Sequence, residues 1–272
     1  MAISLSSISR GKARRAPRIV LLGVQKIGKS TFAAKAPDAI FIPIRREEGV
    51  DEIDCAKFPV ADSFAAVMEC LQSLAEEDHN HKTIVIDSAS TLEPLILKHM
   101  ADEHKVAHYE DALGGYGKWK MESLKYWGEL QSALDYLREA KGMASILIGH
   151  VRVKTFNDPM ADPYDQYQFD LQDNAAAMFY RWADAILFCN RTLISRKVAI
   201  GKVDAKGKAQ SQATHAVGTD KRRLFTDARP AHPGGCRFPM PYELPLEWAK
   251  FEEAMNKSRG GAVEIQSSGN PG

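Results

Sequence analysis

Nine residues, GVQKIGKST (Gly23–Thr31), constrain the fold of this chain more than any other stretch. They fit G-x-x-x-x-G-K-[ST], a loop that binds phosphate when it joins a buried strand to the start of a helix. The flanks supply that setting. RIVLLG (Arg18–Gly23) is a short apolar run ending in glycine, which predicts a buried strand. STFAAKA opens a helix that Pro37 is expected to end. Backbone N–H groups of such a loop curl around phosphate oxygens, and the new helix points its positive end at the same anion. Gly23, Val24, Gln25, Lys26, Ile27, Gly28, Lys29, Ser30 and Thr31 are therefore the candidate nucleotide-binding residues. Lys29 is placed to reach the β- and γ-phosphates, and the Ser30 hydroxyl to bind Mg²⁺.

The pattern beyond the loop is an alternation of strands and helices. AIFIPI (Ala39–Ile44), TIVIDSAS (Thr83–Ser90) and ASILIGH (Ala144–His150) read as buried strands. Ser63–Asp78 has Phe64, Val67, Met68, Leu71 and Leu74 at helical spacing behind Ser63 as N-cap. Helices are also expected over Leu92–His104, Lys120–Lys141 and Asn174–Trp182. AILFCN is a further strand, and VAIGKV, ATHAVG and RRLFTD read as late strands of a hairpin or meander with AKGK as one turn. Strands apolar throughout, alternating with helices, predict an α/β fold with a mostly parallel sheet covered on both faces. Ligands then sit at the carboxyl ends of the strands, where the loop, Asp87 and His150 fall.

Composition adds few constraints. A net charge of +1 over 272 residues implies no particular partner. Four scattered cysteines, Cys55, Cys70, Cys189 and Cys236, support neither a zinc ribbon nor a disulfide framework, so a reducing, cytoplasmic setting is expected. No apolar run approaches a membrane span, and no membrane partner is expected. Residues 1–17 hold Arg10, Lys12, Arg14 and Arg15 and no acid, and read as a basic N-terminal arm. Residues 18–257 are the expected domain, and the Gly/Ser-rich residues 258–272 an expected disordered tail.

Asp87 ends an apolar strand, so its carboxylate is the candidate partner of Ser30 on Mg²⁺. A group that orients the attacking water is also needed, and RREEG after the second strand offers Glu47 and Glu48, with Glu48 preferred. Lys26 lies three residues before Lys29, not the five of the ParA-like "signature" lysine, and reads as a solvated loop residue or a second phosphate contact.

With the loop, Glu48, Asp87 and His150 in this order, the chain resembles the RecA-like P-loop ATPase core. It is most similar to the compact phage ATP-binding proteins that work in DNA recombination. IVIDSASTLEP resembles the metal-binding strand of RecA, and ILIGHVRVKTFNDP the family strand that ends in a γ-phosphate sensor. The resemblance covers roughly Arg18 to Asn190. It implies an Mg²⁺-dependent ATPase with Lys29, Glu48, Asp87 and His150 as catalytic residues, histidine here replacing the family's sensor glutamine. It implies single-stranded DNA as partner, with contacts in two regions, Lys105–Lys118 with the adjoining glycine-rich GGYGKWK, and Val151–Asp173. Lys118, Lys120, Arg152, Lys154, Tyr164 and Tyr167 are the candidates there, beside five aspartates in the second region. Lys221 and Arg223, a K-x-R pair, are the trans-acting candidates of a ring or filament. The phage resemblance implies the cytoplasm of a bacterial host and a possible recombination partner protein. A nucleotide-switched assembly or loader protein without direct DNA binding is the competing expectation.

Overall fold

The structure is a computed structural model that describes residues 14–47, 49–203 and 209–260, with only the backbone described over 193–203 and 209–218. Its elements run β1 (Arg18–Gly23), α1 (Lys29–Ala33), β2 (Ala39–Pro43), β3 (Ala56–Lys57), α2 (Phe64–Glu76), β4 (Thr83–Asp87) and α3 (Ala89–Glu103). They continue with α4 (Trp119–Ala140), β5 (Ala144–Gly149), β6 (Val151–Phe156), β7 (Tyr164–Phe169) and α5 (Asp173–Trp182). The chain closes with β8 (Ala185–Val203), β9 (Ala209–Phe225), β10 (Gly235–Cys236), β11 (Glu243–Pro245) and α6 (Trp248–Ser258).

One sheet has the order β11-β9-β8-β1-β5-β4-β2-β3, with β10 also paired to β8. The run from β8 to β3 is parallel, and β9, β10 and β11 join antiparallel. The strands are apolar at every position because each face meets a different layer. Val20, Leu22, Ile84 and Ile86 pack with α2, α3, α4 and α5, while Ile19, Leu21, Val85 and Ile146 pack with α1 and α6. The crossovers place β5 between β1 and β4, so the loop after β1 and Asp87 at the end of β4 face each other across one strand.

Helix signals in the sequence hold with small shifts. Ser63 caps α2 by accepting from the Ala66 N–H at 3.2 Å. The helix α1 is shorter than Pro37 suggested, ending at Ala33 and continuing as turns through Ala36. The Val151–Asp173 segment, expected as a polar loop, forms the hairpin of β6 and β7, with Val151 opposite Phe169 and Phe156 opposite Tyr164. The mostly polar β7 shows no apolar run. The late strands are longer than expected. AILFCN and VAIGKV are one strand, β8, while ATHAVG and RRLFTD through Phe225 are one strand, β9, paired along their lengths. The expected AKGK turn lies outside the described residues.

At the amino ends of β1 and β8 a buried carboxylate ties the layers together. Asp184 accepts from the Arg18 backbone N–H at 3.0 Å and its guanidinium at 3.1 Å, from Arg138 at 3.0 Å and from Arg237 at 3.2 Å. Residues 14–17 run along this end, where Arg138 donates to the Ala16 carbonyl and Ser145 N–H to that of Pro17. Among the described residues no helix is long and apolar enough to cross a membrane. Burial pushes the Asp184 pKa up, but hydrogen bonds from Arg18 and the charges of Arg18 and Arg138 outweigh it and leave the group below the ordinary carboxylate range. A depressed pKa stabilises the fold above the unfolded value and loses that contribution as pH falls through the folded one. Asp184→Ala should cost about 3–5 kcal/mol at pH 7, because three guanidiniums lose their acceptor. Urea melts at pH 7 and pH 3 check it, and the gap to wild type should narrow at the lower pH.

Candidate nucleotide site

The site begins where β1 meets β8. A Cβ on Gly23 would lie 2.5 Å from the Cys189 carbonyl oxygen, so only glycine lets the strand turn here. The loop then curls back through Lys26 at φ 57 and Gly28 at φ 109, both left-handed, before α1 starts. Gly28 is where the left-handed conformation comes without a Cβ clash, and it points the first N–H groups of α1 into the loop. Lys26 is exposed on the rim.

Lys29 is buried, and its Nζ donates to the carbonyls of Gly23 at 2.9 Å and Val24 at 3.1 Å. Burial lowers its pKa, against the opposing charges of Asp87 and Glu47. Ser30 Oγ donates to Asp87 Oδ2 at 2.6 Å. Asp87 is 4% exposed, and burial pushes its carboxyl up to about 6 despite the Ser30 hydrogen bond. A hydroxyl and a carboxylate in contact are hard oxygen donors of the kind Mg²⁺ takes in phosphate-loop sites, so these residues fit the ion. A divalent cation would also add positive charge beside the buried Asp87, where the charge of Lys29 does not offset burial.

Beside them lies a second polar junction. Glu47 Oε1 accepts from Ser88 Oγ at 2.8 Å and meets His150 Nε2 at 2.6 Å. Burial raises the Glu47 pKa, but the hydrogen bonds from His150 and Ser88 prevail and hold it below the usual value. Ser88 caps α3 in a reciprocal capping box with Thr91, which fixes its hydroxyl. The His150 backbone N–H donates to Ser90 Oγ at 3.0 Å. Of the two acids in RREEG, Glu47 lines the site; the preferred Glu48 lies outside the described residues.

Around these groups is a cavity of about 660 Å³, lined by the loop from Gln25 to Thr31, by Glu47, Asp87 and His150, and by Arg46 and Arg222. Its size is in the range for a small-molecule ligand. Arg222 was missed by sequence reasoning, which singled out its neighbours. On a strand, side chains alternate, so Lys221 and Arg223 share one face and Arg222 takes the other. Arg222 accordingly reaches the loop, its Nη1 3.1 Å from where a Gly28 Cβ would stand. Arg223 pairs with Glu243 at 2.9 Å, and neither it nor Lys221 lines the cavity. The period of β9 was the signal that could have found Arg222.

The two candidate DNA regions come together. Asn174 at the start of α5 contacts Met121 at the start of α4 at 3.7 Å, and the charges of Lys154, Arg152 and Lys120 all act on Asp173. Arg152 pairs with Asp170 at 3.3 Å and Lys154 with Asp173 at 2.7 Å. Tyr164 sits at the hairpin end against Phe156, whereas Tyr167 packs inward on Phe188 with ring centroids 5.2 Å apart. Lys118 donates to the Leu113 carbonyl, and Lys120 lies over the Trp119 ring. Just before them Tyr116 is 99% exposed on a turn of left-handed glycines, Gly114, Gly115 and Gly117. His150 leads directly into β6, and its carbonyl accepts from the Asp170 N–H at 3.0 Å. A Cβ on the preceding Gly149 would stand 2.3 Å from the Phe169 ring, so the hairpin is pressed onto the strand that carries His150.

A family model described as "AAA domain" matches residues 15–238. No curated protein matches the sequence. Among solved structures the chain is similar to the RadB recombinase, with 13% identity and a TM-score of 0.38 over 65% of this chain and 77% of that one.

A carboxyl whose folded pKa is raised destabilises the fold as pH rises from the unfolded value through the folded one. Asp87→Asn should therefore stabilise the ligand-free protein by about 1–3 kcal/mol at pH 7.5 and by little at pH 4, while weakening Mg²⁺ binding. Thermal melts at the two pH values, with and without Mg²⁺ and nucleotide, check both signs.

Proposed function

The chain belongs to the AAA domain family, and from that premise we propose that it is an Mg²⁺-dependent, ATP-hydrolysing RecA-like enzyme acting on single-stranded DNA in recombination or strand annealing. The observation that carries this reading is the Glu47–His150–Ser88 junction beside Lys29, Ser30 and Asp87. It joins a phosphate-loop site to a hydrogen-bonded acid in a hydrolytic position, and through His150 to the β6–β7 hairpin.

In this reading the loop N–H groups and Lys29 bind the phosphates, and Ser30 and Asp87 hold Mg²⁺. The ion when bound would neutralise charge on the β- and γ-oxygens. Glu47 orients the attacking water and accepts its proton at the carboxylate, in the role that the sequence had given to Glu48. The low pKa of Glu47 keeps it ionised at neutral pH, and the hydrogen bond from His150 keeps it aimed. A γ-phosphate that competes for the His150 imidazole would shift that ring, and β6 follows from it without an intervening residue. Lys118, Lys120, Arg152, Lys154, Tyr164 and the exposed Tyr116 are then the contacts to the strand, with Tyr167 a support beneath them. Lys221 and Arg223 act on the nucleotide of the next subunit in a ring or filament, and Arg222 on that of its own. The setting is the cytoplasm of a bacterial host, with a recombination partner protein possible.

The pairing of Arg152 and Lys154 with Asp170 and Asp173 favours a second reading, a nucleotide-switched assembly protein that organises a protein partner. ATP-dependent complex formation without DNA supports that alternative.

Lys29→Ala should abolish ATP turnover with the fold intact. Glu47→Gln should lower kcat by about 10²–10⁴ with nucleotide still bound. Steady-state turnover with and without single-stranded DNA, alongside nucleotide binding, checks both variants. Unchanged turnover in Lys29→Ala would sink the enzyme reading, and absence of DNA stimulation and of DNA binding at low salt would sink the DNA role.

A further inference from the structure

At the end of the sheet opposite the nucleotide cavity, two smaller cavities abut. The first, of about 350 Å³, is lined by Arg14, Arg15, Arg138, Arg237 and Arg259 around Asp184. The second, of about 290 Å³, shares Arg237 and adds Arg18, Arg181, Asp135 and Trp182. Seven arginines thus line two cavities that share Arg237 and hold two aspartates, on a chain whose net charge is +1.

The two carboxylates are already committed. Asp184 serves Arg18, Arg138 and Arg237, while Asp135 serves Arg18 and the Trp182 indole N–H. Arg15 has only an exposed pair with Glu139 at 3.4 Å. Among the described residues Arg14, Arg181 and Arg259 meet no carboxylate. Arg259 lies over Phe238, its Cζ 4.3 Å from the ring centroid, and donates to the Arg15 carbonyl. Burial lowers the pKa of both Arg138 and Arg259 from the ordinary arginine value. Arg14 donates to the Gly260 carbonyl just past α6 and Arg237 to the Arg181 carbonyl in the last turn of α5, a structural task that needs one or two cations. It does not need seven.

We propose that these arginine-lined cavities bind the phosphodiester backbone of a nucleic acid strand, as a second contact remote from the nucleotide site. Guanidiniums match phosphate oxygens in a bidentate fork, and a row of them suits successive phosphates better than one small anion. The two cavities share Arg237, so arginines line two adjoining spaces, as successive phosphates of a strand require. Arg14 and Arg15 enter the site from the chain before β1 and Arg259 from the end of α6, so the strand lies across both chain ends of the domain.

The inference shares with the proposed function only the nucleic acid ligand, and its test needs no hydrolysis. Binding of a labelled single-stranded oligonucleotide is measured without ATP, from about 50 to 200 mM salt, for wild type, Arg15→Gln/Arg259→Gln and Arg15→Lys/Arg259→Lys. The glutamine variant should bind about 5–10-fold more weakly at the lowest salt, and its log–log salt slope should fall by about 1.4, roughly 0.7 per lost phosphate contact. The lysine variant should keep the slope, and both should keep basal ATP turnover. An unchanged affinity and slope in a glutamine variant that melts like wild type overturns the proposal. So does an equal loss in the lysine variant, which would mark a structural role. Competition by poly-glutamate as strong as by DNA would mean an acidic protein partner, and binding of pyrophosphate without the strand a small-anion site; either also overturns it. Failure of Lys29→Ala to affect turnover would sink the enzyme reading and leave this one standing.

Discussion

A lysine ammonium buried at the ends of a parallel sheet needs negative charge and carbonyl oxygens around it, and much of the site is arranged to provide them. Lys29 is held by the carbonyls of Gly23 and Val24, with the charges of Asp87 and Glu47 near enough to oppose its desolvation. Each of those acids carries its own requirement. Asp87 is so enclosed that its carboxyl rises to about 6, with Ser30 the only side chain among the described residues that donates to it. Glu47 is kept ionised by His150 and Ser88. The two carboxylates beside one ammonium are thus pushed apart in proton affinity.

The order of the strands makes this possible. Because β5 lies between β1 and β4, the loop, Asp87 and His150 come from three adjacent strands. Glu47 follows β2, one strand further, and reaches back to His150 across the end of β4. The same insertion ties the site to its surroundings, since β5 continues through His150 into β6 with almost no slack. Gly149 against Phe169 and the Asp170 N–H on the His150 carbonyl hold that junction. At the other end of the strands, Asp184 binds the start of β1 to α4 and to the residues after β10. The two ends are therefore built differently, one from acids around a cation and the other from cations around an acid.

Much of the parallel core was legible in the sequence, because a strand covered on both faces must be apolar at every position, and five such runs stand out. The phosphate loop was legible because its chemistry fixes glycines, a lysine and a hydroxyl at set spacings. The β6–β7 hairpin was not, since β7 is mostly polar, with Asp165, Gln166 and Gln168 among its six residues, and shows no apolar run. That Glu47 meets His150 was not legible either. A local pattern does not say what an acid in a turn will touch, and only the geometry of the chain after β2 brings Glu47 to His150.

By itself the sequence determined the alternation of strands and helices, the loop with Lys29 and Ser30, and the place of Asp87 at a strand end, because each rests on periodicity or on spacing within a few residues. Tertiary structure alone decided that Glu47 meets His150, that Arg222 rather than its neighbours faces the loop, and that arginines from residues 14 to 259 gather at one end of the sheet. Those contacts join residues tens to hundreds of positions apart. Their existence depends on strand order and on which face each strand presents, and no local pattern encodes either.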